Sequence, residues 1–377
     1  MQADSLYSYA LHDRDLAIRA PHDAVRRILA ASHSSSLHSV GKGNSANMVS
    51  FISNTLNPAR YQGLGQRPPY FEGWYYKLVN ADETERYAII PGAFVSKTPG
   101  ETHTFIQVLD GTRGTSTYHR YGFFKADPQR FEVQVGTSDF SHQRINLAVD
   151  DGETQITGEV QLEGITPWPV TVTNPGFMGP YAWLNMECKH AVLSFSHSLK
   201  GSLTINGREI DFTGGRGYLE KDWGQAFPTS YVWMQTNHFA PVGTSLSGSI
   251  ATIPGYGPIR RPFTGFVVGF LHAGTLYRFA TYTGAQVDHL RVTDDKIDWV
   301  LYTRDQELKI RAWRTDGGAL QAPTRDGMQR RVDESMTARI EVELSSIVGT
   351  RKTRIFKGES PNSGLEVVGD LGTILKA

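Results

Sequence analysis

Two stretches of the chain gather most of the side chains that could do chemistry. The first is Arg67-Pro-Pro-Tyr-Phe-Glu72-Gly-Trp74-Tyr75-Tyr76-Lys77. Read as a strand, it puts Glu72, Trp74 and Tyr76 on one face, with Tyr75 and Lys77 on the other. The second is Gly215-Arg-Gly-Tyr218-Leu-Glu220-Lys221-Asp222-Trp223-Gly224, which continues through Phe227-Pro228 to Tyr231-Val-Trp233-Met-Gln235-Thr-Asn237-His238-Phe239. In extended form Tyr218, Glu220 and Asp222 share a face, and Tyr231, Trp233, Gln235, Asn237 and Phe239 share another. Tryptophan, glutamine and asparagine on one strand face are unusual for an oily core. They suit a pocket that is mostly aromatic with a few placed polar groups, built to hold a small apolar molecule. His238 points away from Gln235 and Asn237 and reads as structural. A plainer alternative for Glu220-Lys221-Asp222 is a buried ion-pair lattice.

The elements that must position these residues are strands. Residues 104–109, 130–135 and 154–162 alternate or nearly alternate in polarity, and Arg-Ile-Glu-Val-Glu-Leu at 339–344 alternates strictly. Residues 203–205 and 208–212 flank Asn206-Gly207, the dipeptide of a two-residue hairpin turn that requires positive φ at both positions. Further short strands follow at 266–270, 275–282, 297–302 and 307–313. Many short strands at this spacing predict an all-β barrel or sandwich architecture instead of alternating helices and strands. They fall into two groups on either side of the glycine- and aromatic-rich stretch 214–228, so we divide the chain into an extension (1–66), a first barrel with the junction motif (67–228) and a second barrel (229–377). Each half is close to the size of a barrel that encloses one small ligand.

Composition narrows the function classes. Lysine plus arginine number 38 and aspartate plus glutamate number 38, so there is no basic surplus to attract nucleic acid. Cys188 is the single cysteine, and the twelve histidines show no ligand spacing, so neither a disulfide nor a metal site is expected. The longest apolar runs are far too short to span a membrane. The chain reads as soluble and intracellular, with peripheral membrane contact as a means of reaching a greasy substrate. Residues 21–31 predict a short amphipathic helix, with Pro21 in its first turn. Arg14, Arg19, Arg26, Arg27 and the serine-rich run 32–39 resemble an organelle-targeting segment weakly, against which stand Asp4, Asp13, Asp15 and Asp23.

Phe71-Glu-Gly-Trp-Tyr75, Gly217-Tyr-Leu-Glu-Lys-Asp-Trp-Gly224 with Phe227-Pro228, and Trp233-x-Gln-x-Asn237 resemble the tocopherol cyclase family. The resemblance implies two lipocalin-like antiparallel β-barrels, an architecture shared with carotenoid 1,2-hydratases and lipocalin-like cyclases, here preceded by a partly helical N-terminal extension. It also implies an activity: chromanol-ring closure in a prenylated hydroquinone by alkene protonation and phenol attack, without a cofactor. An alkene is a feeble base, so the acid must be a carboxyl kept protonated by an apolar pocket. Asp222 is the first candidate, then Glu220 and Glu72. Trp74, Tyr76, Tyr181, Trp183, Tyr218, Trp223 and Trp233 are candidate aromatic lining for the cation, and Gln235 and Asn237 are candidates to orient the quinol hydroxyls. Two other activities fit the same pocket: a carrier of lipids or terpenoids that does no chemistry, and a carotenoid-hydratase-like enzyme in which water captures the cation.

Overall fold

The computed structural model of the chain describes residues 42–255, 261–372 and 374, with side chains from Met48 onward. Twelve strands make the first sheet: β1 (Tyr70–Val79), β2 (Arg86–Val95), β3 (His103–Asp110), β4 (Thr115–Tyr121), β5 (Phe124–Ala126), β6 (Glu132–Val135), β7 (Ser138–Ser141), β8 (Arg144–Asp150), β9 (Gln155–Glu163), β10 (Cys188–Ile205), β11 (Arg208–Asp211) and β12 (Arg216–Gly224). Ten make the second: β13 (Tyr231–Thr236), β14 (Ser245–Ile253), β15 (Phe263–His272), β16 (Thr275–Ala280), β17 (Gln286–Val292), β18 (Lys296–Tyr302), β19 (Gln306–Trp313), β20 (Gly318–Ala322), β21 (Arg330–Val348) and β22 (Arg351–Val368). All pairings are antiparallel. The first sheet runs β4-β3-β2-β1-β12-β10-β9-β8-β7-β6-β5, and the second β16-β15-β14-β13-β22-β21-β19-β18-β17.

Each sheet wraps around its own apolar core. Trp74 of β1, Ile106 of β3, Phe140 of β7, Ile156 of β9 and Leu219 of β12 meet in one cluster. Phe270 of β15, Trp299 of β18, Ile310 of β19 and Val342 of β21 meet in the other. Such convergence of distant strands requires strong curvature, and the molecule is a pair of lipocalin-like barrels. Strands on the outer sides obey the alternation read from sequence. On β21, Ile340, Val342 and Leu344 are buried while Arg339 is exposed and Glu341 and Glu343 are only half-buried. Asn206 and Gly207 both take positive φ, 49° and 79°, as the hairpin between β10 and β11 requires.

The strands that join the barrels break this alternation. Every residue of β1 except Gly73 is buried, because one face looks into the first barrel and the other meets the second. A third apolar cluster fills that contact, with Tyr75, Val192 and Tyr218 from the first sheet against Tyr231, Trp233 and Val332 from the second. Buried aromatics of this kind each remove roughly 150–250 Å² from water, so docking of the two sheets is a major part of the fold's stability. The helix expected at 21–31 lies outside the described residues. A helix that the sequence did not announce, α1 (Lys42–Thr55), precedes β1. Among the described residues no helix is long and apolar enough to cross a membrane.

Candidate functional site

Antiparallel pairing converts the two sequence motifs into rows of side chains. Residues opposite each other across a ladder point to the same face of the sheet. In the first sheet, Gly73 of β1, Asp222 of β12 and His190 of β10 form one row, and Tyr75, Glu220 and Val192 form the next. In the second sheet, Ser249, Trp233, Glu366 and Glu334 form a row across β14, β13, β22 and β21. These rows face each other across a cavity of ≈ 170 Å³ between the barrels. Phe71, Ile90, Phe105, Phe227 and Met328 close its apolar side. Arg330 holds the connection between the sheets in place, donating to the carbonyl oxygens of Pro228 at 2.7 Å and Thr229 at 2.8 Å with its guanidinium near the Tyr231 ring.

Four carboxyl groups and one imidazole line this small space. Tyr75 Oη donates to Glu334 Oε1, and Tyr231 Oη donates to Glu366 Oε2 at 2.6 Å. Glu220 Oε2 accepts from Tyr218 Oη at 2.5 Å and from Trp233 Nε1 at 3.2 Å. His190 bridges two carboxylates, with Nδ1 2.9 Å from Asp222 Oδ1 and Nε2 3.4 Å from Glu220 Oε2. Burial pushes the Glu220 carboxyl up to about 7, the His190 charge pulling it back and Asp222 adding to the rise. Burial also lifts Glu366 to about 7, and it holds Glu334 well above the ordinary carboxylate range, helped by the like charge of Glu366 directly opposite. Desolvation alone would strip the proton from His190, but Asp222 and Glu220 outweigh it and hold its pKa up at about 9. The donor atoms of His190, Glu220 and Asp222 lie within 4.8 Å of one another, close enough for a cation. With its pKa held at about 9, His190 carries a positive charge between the two carboxylates, and a metal ion there would have to displace its proton.

The structure gathers only some of the residues singled out from sequence. Asp222, Glu220 and Trp233 line the cavity. Tyr218 stands behind Glu220, bonded to Ser247 Oγ at 3.0 Å as well. Glu72, Trp74, Tyr76 and Trp223 do not reach the cavity. The alternation that put Glu72, Trp74 and Tyr76 on one face is correct, but that face looks into the first barrel. There Glu72 pairs with Lys221 at 2.5 Å and accepts from Tyr70 Oη and from Gln62 N at 2.9 Å. Lys221 donates on to the carbonyls of Pro58 at 2.9 Å and Arg60 at 2.5 Å, and lies over the rings of Trp74 and Trp223. Trp74 Nε1 donates to Ala59 O at 3.0 Å, and Tyr76 Oη to Ser141 O at 2.9 Å. This face of both motifs therefore fastens the segment after α1 across the barrel, and the expected ion-pair lattice joins Lys221 to Glu72 instead of to its sequence neighbours.

Tyr181 and Trp183 lie in a 3₁₀ turn, Gly179–Trp183, away from the cavity wall. Tyr181 packs on Phe263 and Tyr282, and Trp183 on Phe51. Gln235 and Asn237 belong to a buried polar layer beyond the cavity. Lys77 Nζ donates there to Gln235 Oε1 at 3.0 Å, with its pKa lowered by burial to about 7, while Asn237 Nδ2 donates to Gly217 O at 2.7 Å. Alternation ends at Thr236, where β13 stops, so Phe239 turns into the second core instead of joining Trp233. His190, Glu334, Glu366 and Tyr75 were not among the sequence candidates. Glu366 did carry a signal, as a lone charge in the apolar run Leu365-Glu366-Val367-Val368.

Comparison with known proteins supports this reading of the fold. The structure of CghA resembles the chain with a TM-score of 0.50 when bound to Sch210972 and 0.49 without it. Identity is 11% in both, over 80% of this chain and 89% of that one. A rice protein (Oryza sativa subsp. japonica) named "Probable tocopherol cyclase, chloroplastic" is 29% identical over 136 residues, which span 33% of this chain and 27% of the rice protein. Residues 126–369 match the family described as tocopherol cyclase-like, a span that includes His190, Glu220, Asp222, Glu334 and Glu366. More than half of the sequence is covered by that match, and the chain belongs to the tocopherol cyclase-like family.

Proposed function

We propose that the protein is an intramolecular cyclase that closes a chromanol-type ring in a prenylated hydroquinone or a related terpenoid phenol. The observation that carries this is the Glu334–Glu366 pair: two carboxyls opposite each other on a desolvated, aromatic wall, both with raised pKa. Like charges so close cannot both ionise, so the pair retains a proton at neutral pH. Glu366 keeps part of its surface open and lines the cavity, which makes it the group that meets substrate, with Glu334 as the partner that shares its proton. We therefore give the acid role to Glu366 and not to Asp222, whose carboxylate is engaged with His190.

In the reaction the Glu366 O–H bond breaks and its electrons remain on the carboxylate. The proton adds to the less substituted carbon of the prenyl alkene, leaving a tertiary cation. Tyr231, Trp233, Phe71 and Phe227 offer ring faces around the space where that cation develops, each worth up to about 2 kcal/mol when desolvated. The phenol oxygen then closes the ring. The test is incubation of purified protein with a geranylated hydroquinone and mass analysis of the product. A ring-closed isomer of unchanged mass supports the reading. A gain of one water makes the protein a hydratase, and tight binding without turnover makes it a carrier.

A further inference from the structure

Ring closure needs a second proton transfer, because the phenol oxygen that captures the cation must lose its hydrogen. The two walls of the cavity differ in the way this requires. The second sheet presents the Glu334–Glu366 pair, which retains a proton at neutral pH. The first sheet presents Asp222, whose Oδ1 is held by His190 Nδ1 at 2.9 Å while no donor among the described residues occupies Oδ2. About a quarter of the Asp222 side chain remains accessible (23%), against 5% for Glu220, and it is the cavity that it faces. Glu220 is less suited to take a proton, since Tyr218, Trp233 and His190 already surround its Oε2. The imidazole that orients Asp222 is itself fixed, packed edge-on against Phe177 at 4.6 Å. Directly across the ladder from Asp222 stands Gly73, whose missing side chain leaves room beside the carboxylate.

We propose that Asp222, oriented by His190, is the general base of the reaction, and that it fixes the phenol end of the substrate against the first sheet while the alkene lies against the second. This rests on the cyclase reading and adds the direction in which substrate binds. As the C–O bond forms from an oxygen lone pair, the phenolic O–H breaks, its electrons stay on oxygen, and the proton passes to Asp222 Oδ2. The cycle then has one proton too few on Glu366 and one too many on Asp222. Transfer between the two walls restores both, so no co-reactant is consumed. His190 is a positioning residue here: it holds Asp222 and balances its charge, and makes no contact that breaks a bond.

The test separates the two proton transfers by running the reaction with a geranylated hydroquinone in D₂O. Wild-type protein should give a chromanol carrying one carbon-bound deuterium. Asp222→Asn should close the ring at least about 10²-fold more slowly while still protonating the alkene, so that recovered substrate and its double-bond isomers carry deuterium. His190→Gln should lower ring closure in the same selective way, and it serves as the readout if Asp222→Asn does not fold. Glu366→Gln should abolish deuteration and ring closure together. Ring closure at the wild-type rate in Asp222→Asn overturns the assignment and leaves the cyclase reading intact. Equal loss of deuteration and ring closure in that variant overturns it too, because Asp222 would then act in the first transfer. Failure of wild-type protein to close any ring removes the cyclase reading, and this assignment with it.

Discussion

The pH dependence of turnover is the sharpest consequence of the acid pair. If the protonated carboxyl of Glu366 starts the reaction, rate should follow the fraction of that group in its acid form. With its pKa pushed up to about 7 by burial, that fraction is ~0.9 at pH 6, ~0.5 at pH 7 and ~0.1 at pH 8. Turnover should therefore change less than about twofold between pH 6 and 7, fall about fivefold from 7 to 8, and fall about tenfold for each further unit. The limb belongs to the Glu334–Glu366 pair as a whole, since their ionisations are linked. Tyr231 provides a test of sign. Its hydroxyl donates to Glu366 Oε2 at 2.6 Å and so stabilises the ionised form. Tyr231→Phe removes that stabilisation, and a hydrogen bond to a charged group is worth about 1.5–3 kcal/mol, so the limb should move about one unit or more toward alkaline pH. Glu366→Gln should lose about 10²–10⁴-fold of the rate and what remains should show no limb near 7. The assay is initial-rate measurement of chromanol formation from pH 5.5 to 9 for the three proteins, with circular dichroism as a check on folding. A flat or rising profile between pH 6 and 8, or a limb moved toward acid by Tyr231→Phe, would refute the assignment.

Other expectations concern the scaffold and the pocket. Glu72→Gln strands the Lys221 ammonium in the first barrel and should destabilise the protein by about 3–5 kcal/mol in denaturant melts, whereas a Glu72→Gln, Lys221→Met double variant should recover much of that loss. Gly73→Ala should fold normally, because a Cβ there meets Pro91 O at 3.6 Å and Ile90 Cγ2 at 3.7 Å, both ordinary contacts. It should nonetheless crowd the space beside Asp222 and discriminate, by roughly tenfold in kcat/KM, against phenols with an extra ring methyl. Thermal stability should fall as pH rises from about 4.5 to 7. Glu220 and Glu366 have folded pKa values near 7 against an ordinary 4.5, so the folded state holds the additional protons in that window and loses their contribution as they leave. Melting curves of Glu366→Gln should show a shallower slope over the same range; an unchanged slope would contradict the burial argument.

Legibility from sequence followed the periodicity of each strand. Strands with one wet face, such as β19 with Leu308, Ile310 and Ala312 buried between charged neighbours, announce themselves by alternation. β1 and β12 do not, because β1 is buried at every residue but Gly73 and β12 is buried without a break from Gly217 to Lys221, so polarity no longer marks which face is which. The phase of the alternation was therefore readable and its direction was not: Glu72, Trp74 and Tyr76 were correctly grouped and then assigned to the cavity, although it is Gly73 and Tyr75 that face it. His190 was hidden for a different reason. It lies 32 residues before Asp222, and only the β10–β12 ladder brings them into one row. Glu334 and Glu366 meet across β21 and β22, whose register is shifted between Ser335 and Ala338 and again between Ala338 and Ile340, so counting along either strand would not have paired them.

The two faces of the motifs also explain why one short sequence has to be so specific. On β1 and β12, the residues facing inward hold the Glu72–Lys221 pair that fixes the N-terminal segment, and those facing outward supply Gly73, Tyr75, Glu220 and Asp222 to the cavity. A one-residue slip between these strands would exchange every partner on both faces at once. It would leave a buried lysine unpaired on one side and replace Gly73 beside Asp222 on the other. The buried ion pair is thus poor as a source of net stability, yet breaking it in a wrong β1–β12 register costs about 3–5 kcal/mol, a penalty that favours the register with Gly73 opposite Asp222. On the proposed assignment acid and base come from different barrels, so a competent site requires both sheets to be folded, in register and docked.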